Sequence, residues 1–138
     1  MEKGIVNWDD IQETEYINEE GEYTLKIIEV AKDEDGNETQ MSTNGKEFHK
    51  YICENKEHQR INVSLYIIDK AMWKYKAFVG ACGLPTTGVI DVYSLPKMLV
   101  GKKFIGVVKR QPDRINVETG MPEQSKYFEV TKFYKVEE

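Results

Sequence analysis

Two cysteines and two histidines in a chain of 138 residues leave little material for a disulfide framework or a metal centre. A secreted domain of this size ordinarily carries a denser set of bridges, so Cys53 and Cys82 fit a reducing compartment. Basic excess is also missing. The 24 Asp and Glu outnumber the 19 Lys and Arg, for a net charge of −5, and such a chain is not drawn as a whole to a polyanion. No apolar run approaches the roughly 20 residues that a bilayer-spanning helix needs. Met1-Glu2-Lys3-Gly4 lacks the basic-then-apolar layout of a secretion signal, so a cytoplasmic location is expected. There is no internal repeat and no low-complexity tract. Against these absences, 40% apolar and 11% aromatic residues suffice for one packed core in one domain, without metal or disulfide staples.

Arg60 to Pro85 carries the strongest local signal. Ile61, Val63, Leu65 and Ile67 alternate with Asn62, Ser64 and Tyr66, which is the period of a half-buried strand. Asp69 can then cap a helix with Met72, Trp73, Lys76, Ala77, Gly80 and Ala81 at three- and four-residue spacings, stopped by Gly83 and Pro85. Two strands precede this unit: Glu22 to Val30, with Tyr23, Leu25 and Ile27 on one face, and Glu47 to Glu54. Two follow it, Lys102 to Arg110 and Tyr127 to Val136, after a short turn or helix around Ser94 to Val100. Five strands with one helix between the third and fourth is the element order of the OB-fold barrel, a mainly β architecture used mostly to grip oligonucleotides and oligosaccharides. Residues 1–20 form an acidic amino-terminal arm with anchors at Ile5, Trp8, Ile11, Tyr16 and Ile17, and residues 21–138 form the barrel domain.

Charge is unevenly spread. Residues 1–38 hold three Lys against thirteen Asp or Glu, and the remainder hold sixteen Lys or Arg against eleven acids. A local basic groove matters more to phosphate contact than the whole-chain sum. Two long polar loops, Lys32 to Gly45 and Gln111 to Lys126, stand where an OB-fold flanks its groove, whose floor is the second and third strands. Arg60, Asn62, Ser64 and Tyr66 are the outward face of the third strand, and Tyr66 is a stacking candidate. On the second strand Phe48 and Lys50 share one face and His49, Tyr51 and Cys53 the other. Either face could be wet, with Lys50 favoured outward. Lys102, Lys103, Lys109, Arg110 and Arg114, with Lys126 beyond, form a track that could follow a phosphate backbone, and Asn116 lies in the same loop. Edge-protecting cations and ordinary core aromatics account for the same residues more blandly.

Enzymatic chemistry finds little footing. His49, Cys53, His58 and Cys82 lack the paired spacing of a tetrahedral zinc site, and the histidines read as surface residues. No Cys-His nucleophile has a local signature. Gly45-Lys46 and Gly101-Lys102 are followed by Glu47 and Lys103 where a phosphate-binding loop needs Ser or Thr. Asn62-Val63-Ser64 fits the glycosylation pattern only by coincidence in a cytosolic strand. No cofactor and no metal are expected.

Several segments together resemble a family of small phage proteins, long labelled a domain of unknown function, found beside recombination and replication proteins of phages of Gram-positive bacteria. They are Gly21-Glu22-Tyr23, Asn44-Gly45-Lys46, Trp73-Lys74-Tyr75-Lys76-Ala77-Phe78, Ala81-Cys82-Gly83-Leu84-Pro85 and Leu99-Val100-Gly101-Lys102-Lys103. The resemblance runs from Gly21 to the end, and its motifs mark scaffold positions. It implies a sequence-nonspecific single-stranded DNA-binding protein in the host cytoplasm, performing no chemistry, with a phage recombinase or replication protein as a further partner. Under that reading Lys50, Tyr51, Arg60, Asn62, Tyr66, Lys102, Lys103, Lys109, Arg110, Arg114 and Lys126 contact the strand. The competing expectation is a protein-interaction module, in which the barrel or the DNA-mimicking acidic arm engages a recombinase, nuclease or host factor. Homo-oligomerisation through strand edges is left open.

Overall fold

The fold comes from a computed structural model that describes residues 4–5, 15–111, 118, 120–121 and 127–136, with backbone alone at 114–115 and 122–123. The five strands legible in the sequence are β1 (Gly21–Val30), β3 (Glu47–Glu54), β4 (Arg60–Tyr66), β5 (Lys103–Arg110) and β8 (Phe128–Tyr134). Each lies within two residues of its expected bounds. Inside the first polar loop is a two-residue strand, β2 (Gln40–Met41), and inside the second is a short hairpin of β6 (Arg114–Ile115) and β7 (Pro122–Glu123). Helix α1 (Met72–Ala81) separates β4 from β5, and a second short helix, α2 (Leu95–Leu99), precedes β5.

The strands make a six-stranded antiparallel sheet in the order β2-β3-β1-β5-β8, with β4 on the other side of β3. A bulge between Ile27 and Glu29 of β1, and another in the β5–β8 ladder at Val107/Val108, add an extra residue to one strand and so bend and twist the sheet. The sheet thereby curls around one core, and its edges β4 and β8 come near each other. No ladder joins them, so the sheet is open where a closed barrel was expected. The start of β4's outer edge is already taken. Tyr16 bridges Arg60 in parallel, Ile17 N–H donates to the Arg60 carbonyl at 2.9 Å, and Arg60 N–H donates to the Glu15 carbonyl at 2.8 Å.

Period-two alternation sends Leu25 and Ile27 of β1, Tyr51 and Cys53 of β3, Ile61, Val63 and Leu65 of β4, and Phe104 and Val108 of β5 into the core. Helix α1 closes over them with Tyr75, Phe78 and Val79. The Phe78 ring lies 5.2 Å from Tyr51, 5.0 Å from Phe104 and 5.1 Å from Phe133. The stripe through Trp73 and Ala77 therefore faces solvent, with Trp73 72% exposed, which corrects the expected inward face. The helix is apolar on most sides, and the bulky Tyr75 and Phe78 decide which side is buried. Nor does Asp69 cap it: a three-residue 3-10 turn, Asp69–Ala71, leads in, without a side-chain cap. Its end matches expectation. Gly83, at φ +87°, donates to the Gly80 carbonyl and Leu84 to that of Val79, the paired bonds of a Schellman stop.

His49 is buried rather than at the surface. Its Nδ1 lies 2.6 Å from the Tyr75 hydroxyl, its Nε2 lies 2.9 Å from Thr39 Oγ1, and the Tyr75 hydroxyl also meets that of Tyr51. One proton arrangement satisfies every group: Tyr51 donates to Tyr75, Tyr75 to Nδ1, and Nε2–H to Thr39. Burial lowers the His49 pKa and raises those of Tyr51 and Tyr75, so the chain holds in its neutral form. The following turn is tied as firmly: Asn55 Oδ1 accepts from the amides of Glu57 and Gln59 at 3.0 and 2.9 Å. These bonds set the β3–β4 register.

Two stability experiments follow. A Cβ at Gly106 would lie 2.8 Å from Leu25 Cδ1 and 3.0 Å from Val130 Cγ1, so Gly106→Ala is expected to cost about 1–3 kcal/mol in urea unfolding; an unchanged midpoint contradicts this packing. Tyr75→Phe leaves His49 Nδ1 and the Tyr51 hydroxyl unpaired and should cost about 1–3 kcal/mol. In the wild type, stability should fall as pH drops below about 6.5, because the unfolded imidazole takes a proton that the folded one resists. It should fall again above about pH 10, where the unfolded tyrosines ionise first. A flat thermal-midpoint profile from pH 5 to 7.5 would count against a neutral buried His49.

Candidate nucleic-acid interface

The same alternation that buries Tyr51 turns Phe48, Lys50, Ile52 and Glu54 of β3 to the other face. Directly across the ladder stand Tyr66, Ser64, Asn62 and Arg60 of β4, and all eight are half-buried or exposed. The Phe48 and Tyr66 rings are 5.4 Å apart and tilted by 43°, and Tyr66 is 38% exposed. Together they make an aromatic platform at the end of the face remote from Arg60. Beside Tyr66 opens a cleft of about 280 Å³, lined by Ser42, Thr43, Asn44, Lys46, Ile68 and Ala71. Its rim is the turn between β2 and β3, in which Ser42 N–H donates to the Lys46 carbonyl at 2.8 Å and Lys46 N–H to Ser42 Oγ at 3.1 Å. Among the described residues, no side-chain hydrogen bond or ion pair holds Thr43, Asn44 or Lys46.

Of the residues named from sequence, Lys50, Asn62 and Tyr66 share this face. Arg60 lies at its far end, opposite Glu54, with its backbone held by residues 15–17. Tyr51 is corrected: it is fully buried and hydrogen-bonded in the core, so it offers no ring to a ligand. The cationic track does not run as one line. Lys103 and Lys109 are exposed on β5, which β3 and β1 separate from β4 within the sheet. Lys109 pairs with Glu129 across the β5–β8 ladder. Its neighbour Arg110 lies with its guanidinium carbon 5.3 Å from the Phe128 ring centre, and its backbone N–H donates to Glu20 Oε2 at 3.0 Å. Alternation separates adjacent strand residues, so consecutive cations seldom make a track. Lys102 precedes β5 and is exposed. Arg114 is described in its backbone only, which pairs with Glu123, while Lys126 and Asn116 lie outside the described residues.

Phe48 and the Ser42–Lys46 turn were missed as site elements. Phe48 has the parity of Lys50, so assigning Lys50 outward already implied it. Within the amino-terminal arm, Ile17 is buried and Tyr16 and Ile5 are exposed, while Trp8 and Ile11 lie outside the described residues. The Tyr23 hydroxyl donates to the Glu19 carbonyl at 2.9 Å, so residues 15–20 lie against the domain.

The cysteines are poorly placed for nucleophilic chemistry. Burial raises the Cys53 thiol, and pushes that of Cys82 up to about 12 against the opposing pull of Lys102; at neutral pH both stay protonated, and the thiolate is the reactive form. Among the described residues no three His, Cys, Asp or Glu side chains converge to hold a metal ion, and no helix is long and apolar enough to cross a membrane. What the β3–β4 face offers is a tilted pair of aromatic rings with lysines beside it. Neither protein-family models nor curated proteins yield a match to this chain.

Proposed function

We propose that this domain binds single-stranded DNA through the outer face of β3 and β4, without strong sequence preference, and supports phage recombination or replication. The pair of half-buried Phe48 and exposed Tyr66, with Lys50 on the same face and Lys46 on the adjoining rim, is the observation that carries the reading. Every base has a π face, so stacking on such a platform contributes about 1–3 kcal/mol per base regardless of sequence. The lysines neutralise phosphate alongside. The architecture supports the same reading. Taking the five long strands alone, their order β4-β3-β1-β5-β8 is that of a five-stranded OB-like barrel with its seam left open. The platform then falls on the second and third strands, beside the first long loop, where OB-folds hold oligonucleotides. The domain performs no chemistry in this reading, and a recombinase or replication protein is its further partner.

A second reading makes the acidic arm a contact for a protein partner. The observation behind it is Glu20, whose carboxylate accepts from the Arg110 backbone N–H, so that an acidic segment lies against the end of β5. Truncation of residues 1–14 separates the two and spares the buried Ile17. A DNA binder keeps or gains affinity for oligonucleotide, whereas an arm-based module loses its protein partner.

Fluorescence anisotropy with a labelled oligothymidylate at several salt concentrations tests the main proposal. Affinity should fall with salt at about −0.7 in log–log slope per phosphate neutralised. Tyr66→Ala should weaken binding by roughly 5- to 150-fold, the equivalent of about 1–3 kcal/mol, while Tyr16→Ala leaves it unchanged. Absence of binding at low salt, or equal losses in the two variants, would overturn the assignment.

A further inference from the structure

A cleft of about 620 Å³ lies away from the aromatic platform, where β5 begins and β8 ends against the last turn of α1. Among the described residues its charged lining is Lys102, Lys103 and Lys135, with no carboxylate. Among the described residues none of the three has an ion-pair partner. Lys103 also stands directly opposite Lys26 in the β1–β5 ladder. Ile27 N–H donates to the Lys102 carbonyl, which makes 26/103 the non-hydrogen-bonded and therefore closer kind of pair. Like charges placed directly opposite destabilise a sheet. The other cross-strand neighbour of Lys26 is Glu54, whose carboxylate lies 3.5 Å from His58 Nδ1. Lys102, Lys103 and Lys135 thus gather at one cleft, with Lys26 across the ladder from Lys103, and among the described residues none of the three lining lysines is neutralised by an ion pair.

The backbone around the cleft is already committed. The amides of Cys82, Gly83, Gly101 and Lys102 donate to the carbonyls of Phe78, Gly80, Ile27 and Leu99. The charged groups available for recognition there are ammoniums, which act as mobile point charges without the fixed fork of arginine. Such a site favours a polyanion whose charge is spread along a chain over one small anion of fixed shape. Gly83 and Gly101, at φ +87° and +92°, take the chain through left-handed turns and leave two wall positions without side chains. Cys82, also in the lining, remains a neutral thiol and adds no opposing charge.

We propose that the Lys102–Lys103–Lys135 cleft is a phosphate site that holds the backbone of the single strand whose bases stack on Phe48 and Tyr66. The ligand assignment rests on the proposed DNA-binding function; the excess of positive charge does not. The strand then has two unlike contacts on one domain, an aromatic one that carries little salt dependence and a cationic one that carries much of it.

The test compares the wild type with Lys102→Ala/Lys135→Ala in oligothymidylate binding across salt, and in thermal melts with and without inorganic tripolyphosphate. The double variant should lose about 1.4 from the salt slope, two phosphates at about 0.7 each, while Tyr66→Ala leaves that slope unchanged. Tripolyphosphate should raise the midpoint of the wild type and not of the variant, and the variant alone should melt no lower than the wild type. Wild-type oligonucleotide binding with an unchanged slope in the variant overturns the cleft and leaves the platform standing. A variant that melts several degrees lower assigns the lysines to the negative end of α1 and overturns the site. Tripolyphosphate binding without oligonucleotide binding overturns the nucleic-acid ligand at both places, in favour of a free polyphosphate.

Discussion

The hydrogen-bonded chain from Tyr51 through Tyr75 and His49 to Thr39 decides which side of β3 is wet, and the candidate site depends on that choice. A pleated strand has a period of two, so every residue held inward fixes its neighbours outward. With His49, Tyr51 and Cys53 inside, Phe48, Lys50 and Ile52 must face away. The same bonds tie β3 to α1 through Tyr75 and to the first long loop through Thr39. The loop then turns at Ser42–Lys46 and presents its rim beside Tyr66. A buried polar chain is costly unless every member is satisfied, and satisfied it admits few alternative packings. Core specificity and site geometry are in this sense one constraint.

Electrostatics is arranged locally against the trend of the whole. The net charge is −5, yet the acids concentrate in the amino-terminal third, and part of that segment is docked beside β4 and the end of β5. Among the described residues, lysines without ion-pair partners are left around the platform and at the end of the sheet. Repulsion among the latter is tolerable only while they are solvated or bound to anions. Salt should weaken such contacts steeply and leave stacking nearly untouched, so the two contributions are separable in one titration.

The strands were legible because each alternates cleanly and ends at polar turns; β3 and β4 could be bounded to a residue. The stop of α1 was equally plain in Gly83 and Pro85. Its buried side was not, because Trp73, Tyr75, Ala77, Phe78 and Val79 offer apolar character over most of the circumference, and only the shape of the sheet selects Tyr75 and Phe78. Tyr51 was misassigned for a related reason. Aromatic residues occupy both parities of β3, and the Tyr51 hydroxyl is satisfied within the core by a partner 24 residues away. Arg110 joined the track because adjacency in sequence was treated as adjacency in space. The open seam between β4 and β8 has no local signature, since whether two strands distant in sequence form a ladder is not written in either of them.

A titration of the isotopically labelled protein with oligothymidylate, followed by amide chemical shifts, tests the central claim most directly. The account predicts saturable shifts concentrated at Phe48, Lys50, Asn62, Tyr66 and the Ser42–Lys46 turn, with a second set at Gly83, Lys102, Lys103 and Lys135. Shifts confined to residues 15–20 or to the exposed side of α1 around Trp73, or no shifts at low salt, would contradict it.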